Sequence, residues 1–121
     1  MKILLVDDDA FLRDMYATKF TQVGDEIATA EDGKVALAML RENTYDVILL
    51  DMIMPGMTGL ELLEAIKTEK LNADAKYIVL SNQSEPADMA AATSLGAHSY
   101  IVKAQLIPSE VVDAVHKVVS S

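Results

Sequence analysis

The sequence predicts an α/β fold: a doubly wound, five-stranded parallel sheet with five helices divided between its two faces. Three observations predict it. Short runs of consecutive apolar residues, Ile3-Leu4-Leu5-Val6, Val47-Ile48-Leu49-Leu50 and Tyr77-Ile78-Val79-Leu80, lack polar alternation, as strands covered on both faces do. Strand-like and helix-like segments alternate five times, a pattern that calls for a parallel sheet with right-handed crossovers. The three runs end at Asp7, Asp51 and Ser81, where open α/β sheets bind ligands outside the carboxyl ends of their strands.

The first strand, Ile3 to Val6, runs into Asp7, Asp8 and Asp9, and Asp9 is placed to cap the first helix. Leu12, Met15, Tyr16, Phe20 and Val23 give that helix its inward stripe, and Gly24 closes it. Glu26 to Ala30 alternates apolar and polar residues, as a half-exposed edge strand does. Val35, Ala36, Met39 and Leu40 mark the second helix. After the third strand and the loop Met52 to Met57, Thr58 and Glu61 form a capping-box pair for a helix lined by Leu60, Leu63 and Ile66. Ser84 is placed to cap the fourth helix, which runs through Ala90, Ala91 and Ala92 to Gly96. Tyr100-Ile101-Val102 is a short fifth strand ending at Lys103. Pro108 suits the first turn of the last helix, whose Val111, Val112, Val115, Val118 and Val119 face inward. The expected strand order is 2-1-3-4-5, a flavodoxin-like arrangement. Its switch point, between the first and third strands, gathers Asp7, Asp8 and Asp51.

With 121 residues, the chain is expected to form one domain spanning residues 1–121, long enough to bury a core. Apolar residues make up 51% of it, which excludes disorder as its main state. A net charge of −9, from 10 basic and 19 acidic residues, argues against nucleic acid or an anionic membrane surface as a direct partner. Zero Cys excludes disulfide, thiol and Cys-zinc chemistry and fits a reducing cytoplasm. The N-terminus lacks the apolar core of a signal peptide, and no run is long enough to cross a bilayer. No glycine-rich loop follows the first strand, which argues against a nucleotide-binding domain.

Carboxylates gathered at one crevice repel one another by about 4 kcal/mol per pair at ~4 Å and an effective dielectric of ~20. A positive group is therefore needed among them, and Mg2+ is the natural one, since it prefers hard oxygen ligands. Lys103 can bring an ammonium over the same crevice and Ser81 a hydroxyl. A nucleophilic Asp, a divalent metal, an ammonium and a hydroxyl are the parts that phosphoryl transfer to a carboxylate requires.

From Ile3 to Val119 the sequence resembles a response regulator receiver domain. The resemblance rests on Ile3-Leu4-Leu5-Val6-Asp7-Asp8, on Asp51-Met52-Ile53-Met54-Pro55-Gly56-Met57-Thr58-Gly59, on Ser81 after an apolar strand, on Gly96-Ala97 and on Lys103. It implies that Asp51 accepts phosphate from a histidine kinase or phosphotransfer protein of a two-component phosphorelay. It further implies Mg2+ held by Asp8 directly, by Asp7 mainly through water, by Asp51, and by the backbone carbonyl of Ile53. Ser81 would move toward the phosphoryl group, Tyr100 would turn inward behind it, and Lys103 would bind a phosphoryl oxygen. The output surface would be the fourth helix, fifth strand and fifth helix, on a domain that is a monomer or a weak dimer when phosphorylated. Such a domain is a switch rather than an enzyme. No segment for an output domain follows the fifth helix, so the expectation is either a domain that signals alone or a piece of something larger.

Two departures from the family pattern stand out. Ala104 replaces the Pro that usually follows the Lys with a cis bond. A non-proline cis bond costs ~2.5–4 kcal/mol, which favours a trans bond and leaves the loop's shape open. Asn82 replaces the small residue usual after Ser81 and is expected to restrict access to the phosphoryl group. The blander assignments are Asp9 as a helix cap only, Met52, Met54 and Met57 as packing, and His98 and His116 as surface or helix-end residues. Glu64, Lys67, Glu69 and Lys70 read as a solvated helix face. Two rival functions are a receiver-like protein-binding module that is never phosphorylated and a phosphatase or phosphotransferase with an Asp nucleophile. The latter would place its nucleophile after the first strand, where Asp7-x-Asp9 offers only a superficial match in a chain too short for the remaining motifs.

Overall fold

The computed structural model describes residues 1–120. Its elements run β1 (Lys2–Val6), α1 (Ala10–Gln22), β2 (Glu26–Ala30), α2 (Gly33–Glu42), β3 (Val47–Leu50), α3 (Gly59–Glu69), β4 (Lys76–Ser81), α4 (Pro86–Ser94), β5 (Ser99–Val102) and α5 (Pro108–Ser120), with a 3-10 turn at Lys103–Gln105 between β5 and α5. The five strands are parallel in the order β2-β1-β3-β4-β5, as expected from the alternation.

Side chains alternate across a strand, so each central strand divides its apolar run between two cores. Ile3, Leu5, Val47, Leu49, Ile78 and Leu80 face Tyr16 and Phe20 of α1 and Val111, Val112 and Val115 of α5. Leu4, Val6, Ile48, Leu50 and Val79 face Leu37 and Leu40 of α2, Leu62, Leu63 and Ile66 of α3, and Ala92 of α4. The uninterrupted hydrophobicity of the runs follows from this two-sided burial. At the edge, β2 is only partly covered, which explains its polar alternation.

Caps set the helix boundaries. Asp9 accepts from the Leu12 amide, and Gly24 at φ 92° lets the chain leave α1 through the left-handed region. Thr58 and Glu61 close the expected capping box. Ser84 does not cap α4. The N-cap is Glu85, without a side-chain bond, and Pro86 begins the helix, the position that its fixed φ and missing N–H suit. Three stripe assignments also change. Val23 lies at the C-cap of α1 and is 55% exposed, and Val35, in the first turn of α2, is 37% exposed. In α3, Leu62 is buried while Leu60 is only half-buried. Met52 and Met54 are buried and Met57 packs partly against the same core, as gap-filling residues do. Among the described residues, no helix is long and apolar enough to cross a membrane.

Tyr77, at the start of β4, donates its hydroxyl to the Leu71 and Asn72 carbonyls at 2.7 and 3.0 Å. Burial pushes this phenol from 10.0 up to about 12. Its folded pKa is thus above its unfolded one, so the contribution is complete below pH 10 and fades as pH rises through about 12. Urea midpoints measured from pH 9 to 12 should fall, with roughly 2 kcal/mol of the loss due to Tyr77. Tyr77→Phe should flatten that fall without abolishing it, because Tyr16, Tyr45 and Tyr100 are also shifted upward by burial. An unchanged pH slope in Tyr77→Phe would refute the assignment.

Candidate functional site

The β1, β3 and β4 ends meet at one crevice lined by Asp7, Asp8, Asp51, Ser81, Asn82 and Lys103. The ladder continues one residue past each central strand: the Asp7 amide donates to Ala30 O and the Asp51 amide to Val6 O, both at 3.1 Å. The two acidic residues are therefore held by backbone bonds to the sheet itself. Asp7 is 1% exposed and Asp51 9%, whereas Asp8 faces solvent. Each of the three offers a carboxylate oxygen within 4.8 Å of the others.

Lys103 reaches into this cluster. Its Nζ lies 2.6 Å from Asp7 Oδ2 and 2.8 Å from Asp51 Oδ2, so one ammonium bridges both buried carboxylates. Burial alone would lower the Lys103 pKa, but hydrogen bonds and attraction to Asp51 and Asp7 outweigh it and hold the ammonium above its ordinary 10.5. The peptide bond to Ala104 is trans, since no described peptide bond is cis, and the chain enters the 3-10 turn at Lys103 itself. With Ala104 in this place and a trans bond, Lys103 reaches both buried carboxylates.

The remaining oxygens are used locally. Asp7 Oδ1 accepts from Asp9 N at 3.0 Å and Asp51 Oδ1 from Ile53 N at 3.3 Å. Ile53 itself is 58% exposed on the rim. Ser81 is 1% exposed, and its Oγ accepts from Gln83 N at 3.3 Å. Tyr100 is half-buried against the core and donates its hydroxyl to Gln83 O at 2.6 Å. Burial raises its pKa, helped by the charges of Asp88 and Asp51 and opposed by a hydrogen bond with Ser81. Asp9 caps α1, the role expected of it.

Several contacts had no local signal in the sequence. Arg13 Nη1 donates to the Asp7 carbonyl at 2.8 Å and braces the β1–α1 turn; its place one turn into α1 was the only hint. Asn82 Oδ1 accepts from Ala104 N at 2.9 Å, so this side chain is turned to the β5–α5 loop as well as lining the crevice. His116 is not a bare surface residue: it is half-buried, with Nε2 2.6 Å from Asp25 Oδ2, while the terminal ammonium of Met1 lies 3.2 Å from Asp25 Oδ1. His98 is exposed, as expected, yet its Nδ1 accepts from Tyr77 N. Glu69, on the solvated α3 face, pairs bidentately with Arg41; a pair so exposed contributes little stability.

The chain is similar to chemotaxis protein CheY of Thermotoga maritima, at 36% identity over 118 residues that cover 97% of this chain and 96% of the relative. Among solved structures, chemotaxis protein CheY4 of Vibrio cholerae superposes with a TM-score of 0.89 at 30% identity, covering 97% of each chain. Response regulator protein TrrA of Thermotoga maritima, solved in complex with Mg(2+)-BeF, does so with a TM-score of 0.83 at 34% identity, again covering 97% of each. Other curated relatives are longer: the chain spans 39%, 44% and 14% of three regulatory proteins it matches. Residues 3–116 match the family model for the response regulator receiver domain, and the chain belongs to that family of two-component signalling modules.

Proposed function

We propose that residues 1–121 act as a phosphorylation-controlled switch in which Asp51 accepts a phosphoryl group from a phosphohistidine on a kinase or phosphotransfer protein. The observation that carries this reading is the single ammonium of Lys103 shared by two buried carboxylates beside a third, exposed one. In the transfer, an Asp51 oxygen forms a bond to phosphorus as the bond from phosphorus to the donor imidazole nitrogen breaks, and the electron pair leaves with the imidazole. Lys103 is already hydrogen-bonded to Asp51 Oδ2 and would carry that bond over to a phosphoryl oxygen. Ser81 Oγ accepts from Gln83 N, and its hydroxyl, which also neighbours Tyr100, would turn to donate to the phosphoryl group.

The oxygen-only donor set fits Mg2+. Asp7, Asp8 and Asp51 would hold it together with the Ile53 carbonyl, and when bound it supplies charge neutralisation for the phosphoryl oxygens. A similar domain solved with Mg(2+)-BeF supports this cofactor. Phosphorylation then biases a pre-existing equilibrium through Ser81, Lys103 and Tyr100, changing what α4, β5 and α5 present to a downstream protein target. The setting we propose is the cytoplasm, with a monomer or a weak dimer on phosphorylation and no direct nucleic-acid or membrane contact. The domain's role is signalling, not turnover of a substrate.

Incubation with Mg2+ and a small acyl-phosphate donor, followed by intact mass measurement, tests the reading. A single phosphoryl adduct is expected that requires Mg2+ and is lost in Asp51→Asn. An adduct that survives in Asp51→Asn would refute the acceptor. No adduct together with no binding of Mg2+ or beryllofluoride would favour a binding module that is never phosphorylated.

A further inference from the structure

We propose that Asn82 is a positioning residue for Lys103, acting through the backbone N–H of Ala104; the inference rests on the phosphoacceptor reading of the crevice. The last β4–β5 pair is Ser81 with Val102, so Asn82 and Lys103 are the first residues beyond the ladder on the two strands. There the backbones part. Lys103 opens a 3-10 turn whose N-cap, Val102, has no side chain able to accept a hydrogen bond. The carbonyl end of the turn is closed by Leu106 N to Lys103 O at 3.3 Å. Its amide end is met from 22 residues away, by Asn82 Oδ1 at 2.9 Å from Ala104 N.

This link extends the β4–β5 connection past the sheet. The turn it caps carries the ammonium that lies 2.6 and 2.8 Å from the two buried carboxylates. The same short segment carries Ser81 on one side of Asn82 and, on the other, Gln83, whose carbonyl takes the Tyr100 hydroxyl. Asn82 therefore fixes the spacing between the Ser81 hydroxyl and the Lys103 ammonium, the two groups that must close on one phosphoryl group. The bond exists because residue 104 has an N–H, which Pro would not. Asn82 in the crevice and Ala104 in the β5–α5 loop form one device.

Three measurements test it. In the metal-free protein, Ala104 amide hydrogen exchange should quicken about fivefold in Asn82→Ala, the effect of one ordinary hydrogen bond, and stay slow in Asn82→Asp, which keeps an acceptor oxygen. The Lys103 side-chain ammonium resonance should shift in Asn82→Ala. Beryllofluoride binding with Mg2+ should weaken about fivefold in Asn82→Ala, with no further loss when that change is added to Ala104→Pro. Unchanged Ala104 exchange, or an unmoved Lys103 signal, overturns the proposal whether or not the domain is phosphorylated, and both readings remain available if Ala104→Pro fails to fold. Equal effects of Asn82→Ala in the two backgrounds overturn it too, and assign Asn82 to direct control of access. Failure of the wild type to bind beryllofluoride counts instead against the phosphoacceptor reading, leaving the first two measurements to decide the role of Asn82.

Discussion

Lys103→Met should lose on the order of 3–5 kcal/mol of folding stability at neutral pH without divalent cations. The substitution keeps most of the side-chain volume, so the cavity it leaves is small and the change is chiefly electrostatic. Asp7 and Asp51 are almost fully buried and share this ammonium at 2.6 and 2.8 Å. Without it they remain as neighbouring buried charges with Asp8 beside them. An exposed ion pair of the same geometry would contribute ~0–1 kcal/mol, so burial decides the size of the effect. The Lys103 pKa is raised above 10.5, so the contribution is complete at neutral pH and disappears only on the alkaline side of that value. Mg2+ should restore more stability to the variant than to the wild type, because it would take over the role of the missing charge. Urea titrations of both proteins in EDTA and in Mg2+ supply the four numbers needed. A loss below about 1 kcal/mol in EDTA would reduce the bridge to the level of a surface pair.

The sequence carried the fold because its signals are local. Four-residue apolar runs report two-sided burial directly, and the residue after each run is the residue at the strand end, so Asp7, Asp51 and Ser81 could be placed before any contact was known. Lys103 could be placed over the crevice by the same logic. That it bridges two carboxylates could not, because reach and rotamer decide it. Periodicity also loses force at helix ends: Val23 and Val35 fit a stripe, yet each sits in a terminal turn where the helix surface has left the core. For α4 two start signals compete two residues apart, and Pro86 at the first helical position prevails over Ser84 as a cap. The contacts that sequence could not show are those made across the fold. Asn82 meets Ala104 across 22 residues and His116 meets Asp25 across 91, and nothing in either pair's neighbours announces the partner.

Gly59→Ala, at the start of α3, should be strongly damaging for so conservative a change. By helix propensity alone, alanine in place of glycine should stabilise a helix by about 0.5–1 kcal/mol. Packing opposes this and wins. Gly59 is buried at the first position of α3, with its N–H bonded to Met52 O at 2.8 Å. A Cβ built there would be driven into the Asp51 carbonyl oxygen and would lie 2.8 Å from Met52 Cα and 3.1 Å from the Asp51 carbonyl carbon. These are backbone atoms tied to the sheet through Asp51 N and Val6 O, so no rotamer change relieves the overlap. Gly33 offers the control. Its Cβ would meet Met57 Sδ at 2.7 Å, in a flexible side chain that can move aside, and Met57 Cβ and Cγ at 3.1 Å, where a shift of a few tenths of an ångström suffices. Gly33→Ala should therefore cost less than about 1.5 kcal/mol, while Gly59→Ala should cost about 3 kcal/mol or more. If it folds, displacement of the Asp51 backbone should disturb the 2.8 Å contact with Lys103 and, on the proposed function, slow phosphate acceptance. Thermal or urea unfolding of the two variants side by side decides the matter, and equal losses would show that the strand-to-helix turn is looser than its contacts imply. The glycine is then understood as space that the backbone of Asp51 and Met52 occupies.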